Sequence, residues 1–583
     1  MQIELIKNKK YIISFALLYI LTAAILWIQV DYFTEEGVYP QYTLSVIEDQ
    51  DLNIINQIQN EKFKWLVSET KYHPDFEHSG ITIFTTPFYY VEYFFRKFIQ
   101  NNATPGNISY YFPPHIIFTI TYITLGLILL SKVAKEMIPN SDVRYIYLFL
   151  LSTPFTWYTF FQSTSTNSFG FFYSSMVLYF FTFNKSPHKK KIFLLGLLFG
   201  FGLVIRIQLA WTGILFLYMI IQNHKSTLLK TSLFLAGSII PLSLLQVNQV
   251  ARGSSGSYAL LNYFDLSIGT VFKNSLIGEN GYLILAPALA VCFLIYLAIV
   301  FDKKASLLLK MIGIPPLALF IFYNFTWALM DGYIGRHQQS FLPIYSLFFL
   351  YFMANIEKYT KIKRAVISLF IILFFWNIIC NFWYISIDSS KDYLWKFIYP
   401  FNTDYFRDGL ALYIEQRSFS SFYHHFLSLI PHIPLLGIIS YLLIKINHTQ
   451  PRNSSIYRVV ILYMITSYSL ITASNYFIGK KNVIRLEQQG YFDNVVIGNN
   501  ESIFIFDDYI QVLNDSIRYY MMKNDCTKVI NLKKVKQRYI YKMPDYILED
   551  RRNFKESLTA GTYKSSISYY DLNDRELNLN CPE

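Results

Sequence analysis

The chain has 583 residues, of which 53% are hydrophobic, 19% aromatic and only 15% charged, well below the roughly 25% charge of typical soluble domains. With apolar runs of spanning length recurring along most of it, this composition excludes a soluble globular enzyme and describes a polytopic membrane protein. The formal net charge of +12 does not argue for nucleic acid, because the Lys and Arg residues sit in short clusters between apolar runs, as orientation determinants do.

In chain order, residues 11 to 30 form the first span, preceded by Lys7, Lys9 and Lys10 and followed by an acidic, aromatic stretch. That charge asymmetry puts the N-terminus in the cytoplasm. Without a small-residue cleavage site at 26 to 30, the segment reads as an uncleaved helix. A long polar segment, 31 to 112, follows. Within it residues 81 to 98 are apolar, but Pro87, Glu92, Arg96 and Lys97 favour an interfacial amphipathic helix over a crossing.

Further spans are expected near 113 to 131, 145 to 162, 169 to 184, 192 to 206, 209 to 222, 231 to 249, 282 to 301, 306 to 328, 340 to 354, 365 to 385, 426 to 444 and 458 to 477. With the first, about thirteen transmembrane helices are predicted. The clusters Lys132/Lys135/Arg144, Lys189/Lys190/Lys191, Lys225/Lys230, Lys303/Lys304, Lys361/Lys363/Arg364 and Lys445/Arg452/Arg458 fall on alternate loops, on the side of the N-terminus. Segments 31 to 112, 251 to 281 and 386 to 425 then face outside. The stretch around Arg206 reads either as a turn between two short spans or as the middle of one long helix. Only two spans keep every later basic loop inside.

From Gly479 the composition changes to short β-prone runs, such as Val495-Val496-Ile497 and Ile503-Phe504-Ile505-Phe506, around a helix-like stretch. The chain therefore divides into a membrane part, 1 to 478, and a small α/β domain outside, 479 to 583. The cysteines Cys292, Cys380, Cys526 and Cys581 have no C-x-x-C spacing for zinc. Whether Cys526 and Cys581 pair outside the cytoplasm stays open.

Candidate chemistry lies on the outer side. Just past the first span the chain reads Glu35-Glu36-Gly37-Val38-Tyr39, and Glu48, Asp49 and Asp51 follow. A carboxylate shielded from water near a bilayer surface gains basicity and can take a proton from an attacking hydroxyl. A solvated acidic flank of a helix is the plainer reading. Later in the same loop come Tyr72-His73-Pro74, His78-Ser79-Gly80 and Pro87-Phe88-Tyr89. Arg206 ends an apolar, glycine-rich run that begins at Gly196, where an ionisable side chain is costly. Arg336 closes Gly332-Tyr333-Ile334-Gly335-Arg336 ahead of Pro343. A guanidinium suits a lipid phosphate because its fork matches phosphate oxygens, though an arginine at a helix end can also simply snorkel to the interface.

Taken in order, these pieces resemble the GT-C glycosyltransferases that use polyprenyl-phosphate sugars, the superfamily of aminoarabinose transferases and protein mannosyltransferases. Glu35 stands where bacterial relatives have Asp, Glu36 where they have Glu, and Tyr39 is similar to the aromatic that follows. The resemblance spans roughly residues 11 to 350. It implies a bacterial inner-membrane enzyme that passes a sugar from a polyprenyl-phosphate donor to a glycan, lipid or protein acceptor outside the cytoplasm, in one inverting displacement. Glu35 or Glu36 would be the base, and Arg206 and Arg336 the donor-phosphate ligands. Tyr39, Asp49, Asp51, His73 and His78 would be supporting residues. The resemblance leaves a divalent metal open: His73, His78 and the acidic loop could supply ligands, yet their spacing matches no defined metal motif.

Three other readings fit a polytopic chain. A transporter or flippase needs mid-membrane charge and repeated halves. A polysaccharide polymerase or ligase using lipid-diphosphate donors needs its catalytic residues in a late loop, here 386 to 425. The Glu-for-Asp departure leaves room for a catalytically silent relative.

Overall fold

A computed structural model describes residues 43–47, 80–95, 112–139, 141–156, 158–159, 166–184, 188–222, 225–251, 286–318, 338–386 and 455–474, with isolated positions at 283, 437, 439, 441–442 and 445–446. The described residues are helical, with no strand among them. In order they form α1 (Thr82–Phe95), α2 (Phe112–Met137), α3 (Arg144–Leu151), α4 (Thr166–Phe183), α5 (His188–Ile205), a 3-10 turn (Ile207–Thr212), α6 (Gly213–Gln222), α7 (Thr227–Ala251), α8 (Pro287–Phe301), α9 (Leu307–Ile312), a second 3-10 turn (Gln339–Phe341), α10 (Leu342–Asn355), α11 (Thr360–Ser386) and α12 (Ser455–Ser474).

Three described helices are long and apolar enough to cross a membrane, Ile117–Met137, Thr227–Val247 and Thr360–Cys380, and shorter apolar helices include Phe169–Phe183 and Pro287–Phe301. The first of the three is 72% buried within the protein, the last only 17%, so α2 is central and α11 turns most of its apolar surface outward, as a lipid-facing helix does. The first span at 11 to 30, most of that at 426 to 444 and the α/β domain at 479 to 583 lie outside the described residues.

Two helices cross with almost no side chain between them. On α5, a Cβ at Gly196 would run into the carbonyl of Phe234 on α7, and one at Gly200 would sit 2.5 Å from the carbonyl of Ser238. From the other side, a Cβ at Gly237 would meet the carbonyl of Phe193. Between apolar helices in lipid, such close backbone approach replaces the missing hydrophobic drive with van der Waals contact. The glycine spacing on α5 is thus a packing device.

The chain reverses after α5. A Cβ at Gly202 would touch Leu209, and one at Gly213 would touch the ring of Phe199. Partners whose numbers rise on one side as they fall on the other define an antiparallel hairpin. This settles the alternative left by the sequence: α5 and the segment 207–222 are two arms, and Arg206 is their turn.

Basic loops gather at one end of the bundle. The ammonium of Lys132 donates to the carbonyl of Ile446 at 2.8 Å, and that of Lys363 lies 5.7 Å from the ring centre of Tyr145. His188 is held below its ordinary pKa by partial burial first and by Lys230 and Lys191 second, which puts the start of α5 beside the start of α7.

The helix expected at 81 to 98 is present as α1. Ile83, Phe84, Phe88 and Tyr89 are buried while Tyr90, Val91 and Phe94 are exposed. Pro87 lies inside it and has no N–H to offer the carbonyl of Ile83 four residues back. The hydroxyl of Tyr463 on α12 donates to that carbonyl at 2.6 Å.

Candidate functional site

At the end of the bundle opposite the basic loops, four pieces of chain meet around Arg206. The backbone there is fully used. The Arg206 N–H donates to the Gly202 carbonyl at 2.7 Å, closing α5, and the Arg206 carbonyl accepts the Leu209 N–H at 3.0 Å, opening the 3-10 turn. Between these bonds Arg206 is extended, with φ −161° and ψ 135°.

Only Arg206 is extended; Ile207 and Gln208 already belong to the 3-10 turn. Arg206 and Gln208 are 4% and 5% exposed, whereas Ile207 between them is 40% exposed. The polar residues point inward and the apolar one outward, the reverse of a snorkelling arginine, whose charged head would seek the headgroups. The Arg206 Nε donates to the Gln208 Oε1 at 3.2 Å. Among the described residues the only other buried charged side chain is Lys230, near the basic end.

Three contacts fix the turn. The indole Nε1 of Trp211 donates to the hydroxyl of Ser174 on α4 at 3.0 Å, and the hydroxyl of Tyr173 donates to the carbonyl of Leu198. The entry to α1 lies against the last turn of α5, where a Cβ on Gly80 would fall 2.8 Å from Val204 Cγ1 and 2.9 Å from the Val204 carbonyl oxygen. Behind this contact Phe84 packs on Phe169 with centroids 4.5 Å apart, and Phe169 also meets Phe118 and Tyr122.

The fourth piece is the segment entering α10. The position of a Cβ on Gly170 is filled by the hydroxyl of Ser340, so the start of α4 seats directly on the turn 339–341. Gln338 is fully buried. Its Oε1 accepts the Tyr345 hydroxyl at 2.7 Å, and its Nε2 has no partner among the described residues.

One described piece of the first polar loop joins this end. Residues 43–47 form a helical turn with Thr43, Leu44, Ser45 and Ile47 buried, and the hydroxyls of Thr43 and Thr85 are hydrogen-bonded at 2.6 Å. Thr43 is thereby tied to α1, whose entry abuts Val204.

Of the residues singled out in the sequence, Arg206 is in this cluster. Glu35, Glu36, Tyr39, Asp49, Asp51, His73, His78 and Arg336 lie outside the described residues. Among the described residues no three His, Cys, Asp or Glu side chains gather as metal ligands would, and Cys292 and Cys380 are buried. Gln208, Trp211 and Gln338 had no signal of their own: a Gln two residues from an Arg is common, and the partners of Trp211 and Gln338 are set by tertiary packing.

Chemically, a protein-covered guanidinium at the end of a membrane bundle needs acceptors or an anion to offset its lost hydration, and the Gln208 Oε1 is one such acceptor. Residues 112–249 match the family model described as dolichyl-phosphate-mannose-protein mannosyltransferase, a family of membrane glycosyltransferases of the GT-C type. The matched segment is just under a quarter of the chain, runs from α2 into α7 and contains the Arg206 hairpin. No curated protein and no solved structure matches the chain.

Proposed function

We propose that the chain is an inverting membrane glycosyltransferase that moves a sugar from a polyprenyl-phosphate donor to a glycan, lipid or protein acceptor outside the cytoplasm. The observation that carries this is the inward-facing Arg206, lying within the segment that matches the mannosyltransferase family and at the end of the bundle away from the basic loops. By the positive-inside rule that end faces outward. The N-terminus is then cytoplasmic, and the 479 to 583 domain lies outside a bacterial inner membrane.

In the proposed reaction Glu35 or Glu36 takes the acceptor hydroxyl proton. The freed oxygen attacks the anomeric carbon and forms the new glycosidic bond. The bond from that carbon to the phosphate oxygen breaks, and its electron pair leaves with the lipid phosphate. Arg206 and Arg336 stabilise the departing charge. Two features support a shared location for the base and the phosphate ligands. Thr43, seven residues after Glu36, is bonded to α1 beside the Arg206 turn, and Gln338, two residues after Arg336, is packed into the same end. Tyr39, Asp49, Asp51, His73 and His78 are proposed as supporting residues of this loop.

The test is transfer of radiolabelled sugar from a pool of polyprenyl-phosphate donors in membranes containing the wild type or the Glu35→Gln/Glu36→Gln double variant. Donor consumption by the wild type that falls at least 100-fold in the double variant is expected, the usual scale for removing a general base. Equal consumption by a normally inserted double variant would refute the assignment of the base. No consumption by the wild type from any monophosphate donor would refute the reaction.

A further inference from the structure

Resting on the reading of the chain as a transferase with a polyprenyl-phosphate donor, we propose that the N-terminal end of α10 binds an oxygen of the lipid phosphate through the amide Nε2 of Gln338. The observation behind it is a buried donor that the protein itself does not use. Gln338 is fully buried, its Oε1 accepts the Tyr345 hydroxyl at 2.7 Å, and its Nε2 meets no acceptor among the described residues. A covered N–H left unmet is costly, and a ligand oxygen that meets it removes that cost on binding.

Two features place this amide at the helix end. Long side chains on a helix lean toward its N-terminus. Tyr345, in the first turn of α10, therefore carries its hydroxyl back over the entry to the helix, and the amide it meets lies there. The backbone of Gln338 is fixed as well: its carbonyl accepts the Phe341 N–H at 2.9 Å, opening the turn 339–341, and Ser340 in that turn occupies the place of a Cβ on Gly170. With one arm of the amide taken by Tyr345, the other is held at the start of α10.

That end suits an anion. α10 has 14 residues, and the aligned peptide dipoles of such a helix leave positive potential at its start, where phosphates bind. The neutral amide adds a directed N–H there without a counter-charge of its own. Arg336, proposed above as a phosphate ligand, stands two residues earlier in the chain. A sugar hydroxyl would accept the same N–H but gains little from the dipole, which favours the phosphate.

The experiment measures binding of sugar-free dolichyl phosphate to the purified full chain in nanodiscs, with dolichol as the phosphate-free comparison and thermal unfolding recorded for each variant. Gln338→Glu keeps an acceptor for Tyr345 but brings a carboxylate in place of the N–H, and Gln338→Met removes both. Each is expected to weaken binding of dolichyl phosphate at least tenfold, the size of one hydrogen bond to a charged group, and to leave dolichol binding unchanged. Adding dolichyl phosphate should raise the unfolding temperature of the wild type more than that of either variant. If the wild type binds dolichyl phosphate no better than dolichol, the reading of a lipid-phosphate donor fails, and the role of Gln338 with it. If the wild type prefers dolichyl phosphate and a folded Gln338→Glu or Gln338→Met variant keeps that preference in full, only the role of Gln338 is overturned. An equal loss of dolichol and dolichyl phosphate binding would also overturn it, because that marks a packing defect instead of a lost phosphate contact.

Discussion

The hydroxyl of Tyr463 takes the place of the N–H that Pro87 lacks: it donates to the carbonyl of Ile83 across 380 residues of sequence. That single bond joins α1 to α12 and closes the gap a proline opens in a helix. Tyr463→Phe should therefore cost about 1 to 3 kcal/mol, the price of an unmet carbonyl away from water. Pro87→Ala restores the N–H within the helix, so the same Tyr463→Phe change made in that background should cost measurably less. A double-mutant cycle read by thermal unfolding in detergent checks this, and equal costs in the two backgrounds would show that the bond does not compensate for the proline.

The α5/α7 crossing makes a second prediction. A Val at Gly196 or Gly237 would place atoms inside the facing carbonyls of Phe234 or Phe193, and backbone cannot yield as a side-chain tip can. Either variant should lose most folded protein, scored by fluorescence-detected size exclusion. Gly437→Ala, where an added Cβ meets nothing within 4 Å, should behave as the wild type in the same assay.

At the basic end, Asp142 accepts from the Arg144 side-chain Nε at 2.7 Å and from its backbone N–H at 3.0 Å. Partial burial raises the Asp142 carboxyl, but these two bonds, the charge of Arg144 and that of Lys363 together outweigh it and hold the carboxyl below the usual range. A depressed folded pKa stabilises the fold above the unfolded value of about 3.9, and that stability is lost as pH falls through the folded value. Asp142→Asn should lower stability at neutral pH and flatten its decline below about pH 4. Unfolding curves for both proteins from pH 3 to 7 test this, and parallel curves would show that Asp142 contributes nothing.

On the proposed reaction, Arg336→Gln should cut transfer by about 100-fold, in the range of losing one donor to developing charge. The loss should appear in kcat more than in KM. A change confined to KM would make Arg336 a ground-state binder only.

Much of the helical framework was legible because apolar length and basic flanks are local signals. α2 and α4 to α8 stand where hydrophobic runs and Lys clusters put them, whereas α3 ends at Leu151, well short of the span expected at 145 to 162, and α1 stands where an interfacial helix was expected. The break at Arg206 was legible only as a choice, since a run without Gly or Pro at 203 to 208 gives no turn signal. The choice is made by the contacts of Gly202 with Leu209 and of Gly213 with Phe199. The bonds of Tyr463 to Ile83, Trp211 to Ser174 and Gln338 to Tyr345 left no trace in the sequence, because a lone aromatic or amide looks the same with or without a partner. Of the candidate site, Arg206 was found from its cost in an apolar span, whereas its hydrogen-bonded partner two residues on was not.

The mixed winding of the second hairpin arm sets its reach. α5 has 18 residues, so it reaches about 27 Å at 1.5 Å each. The other arm has 6 residues of 3-10 helix and 10 of α-helix. At about 2.0 Å per residue in the first part and 1.5 Å in the second, it also reaches about 27 Å. Uniform α-helix over the same stretch would fall about 3 Å short of its neighbour. The faster rise of the 3-10 part therefore lets a segment two residues shorter than α5 return the chain the full length of its neighbour, so that Gln222 ends about as far from the turn as His188 begins.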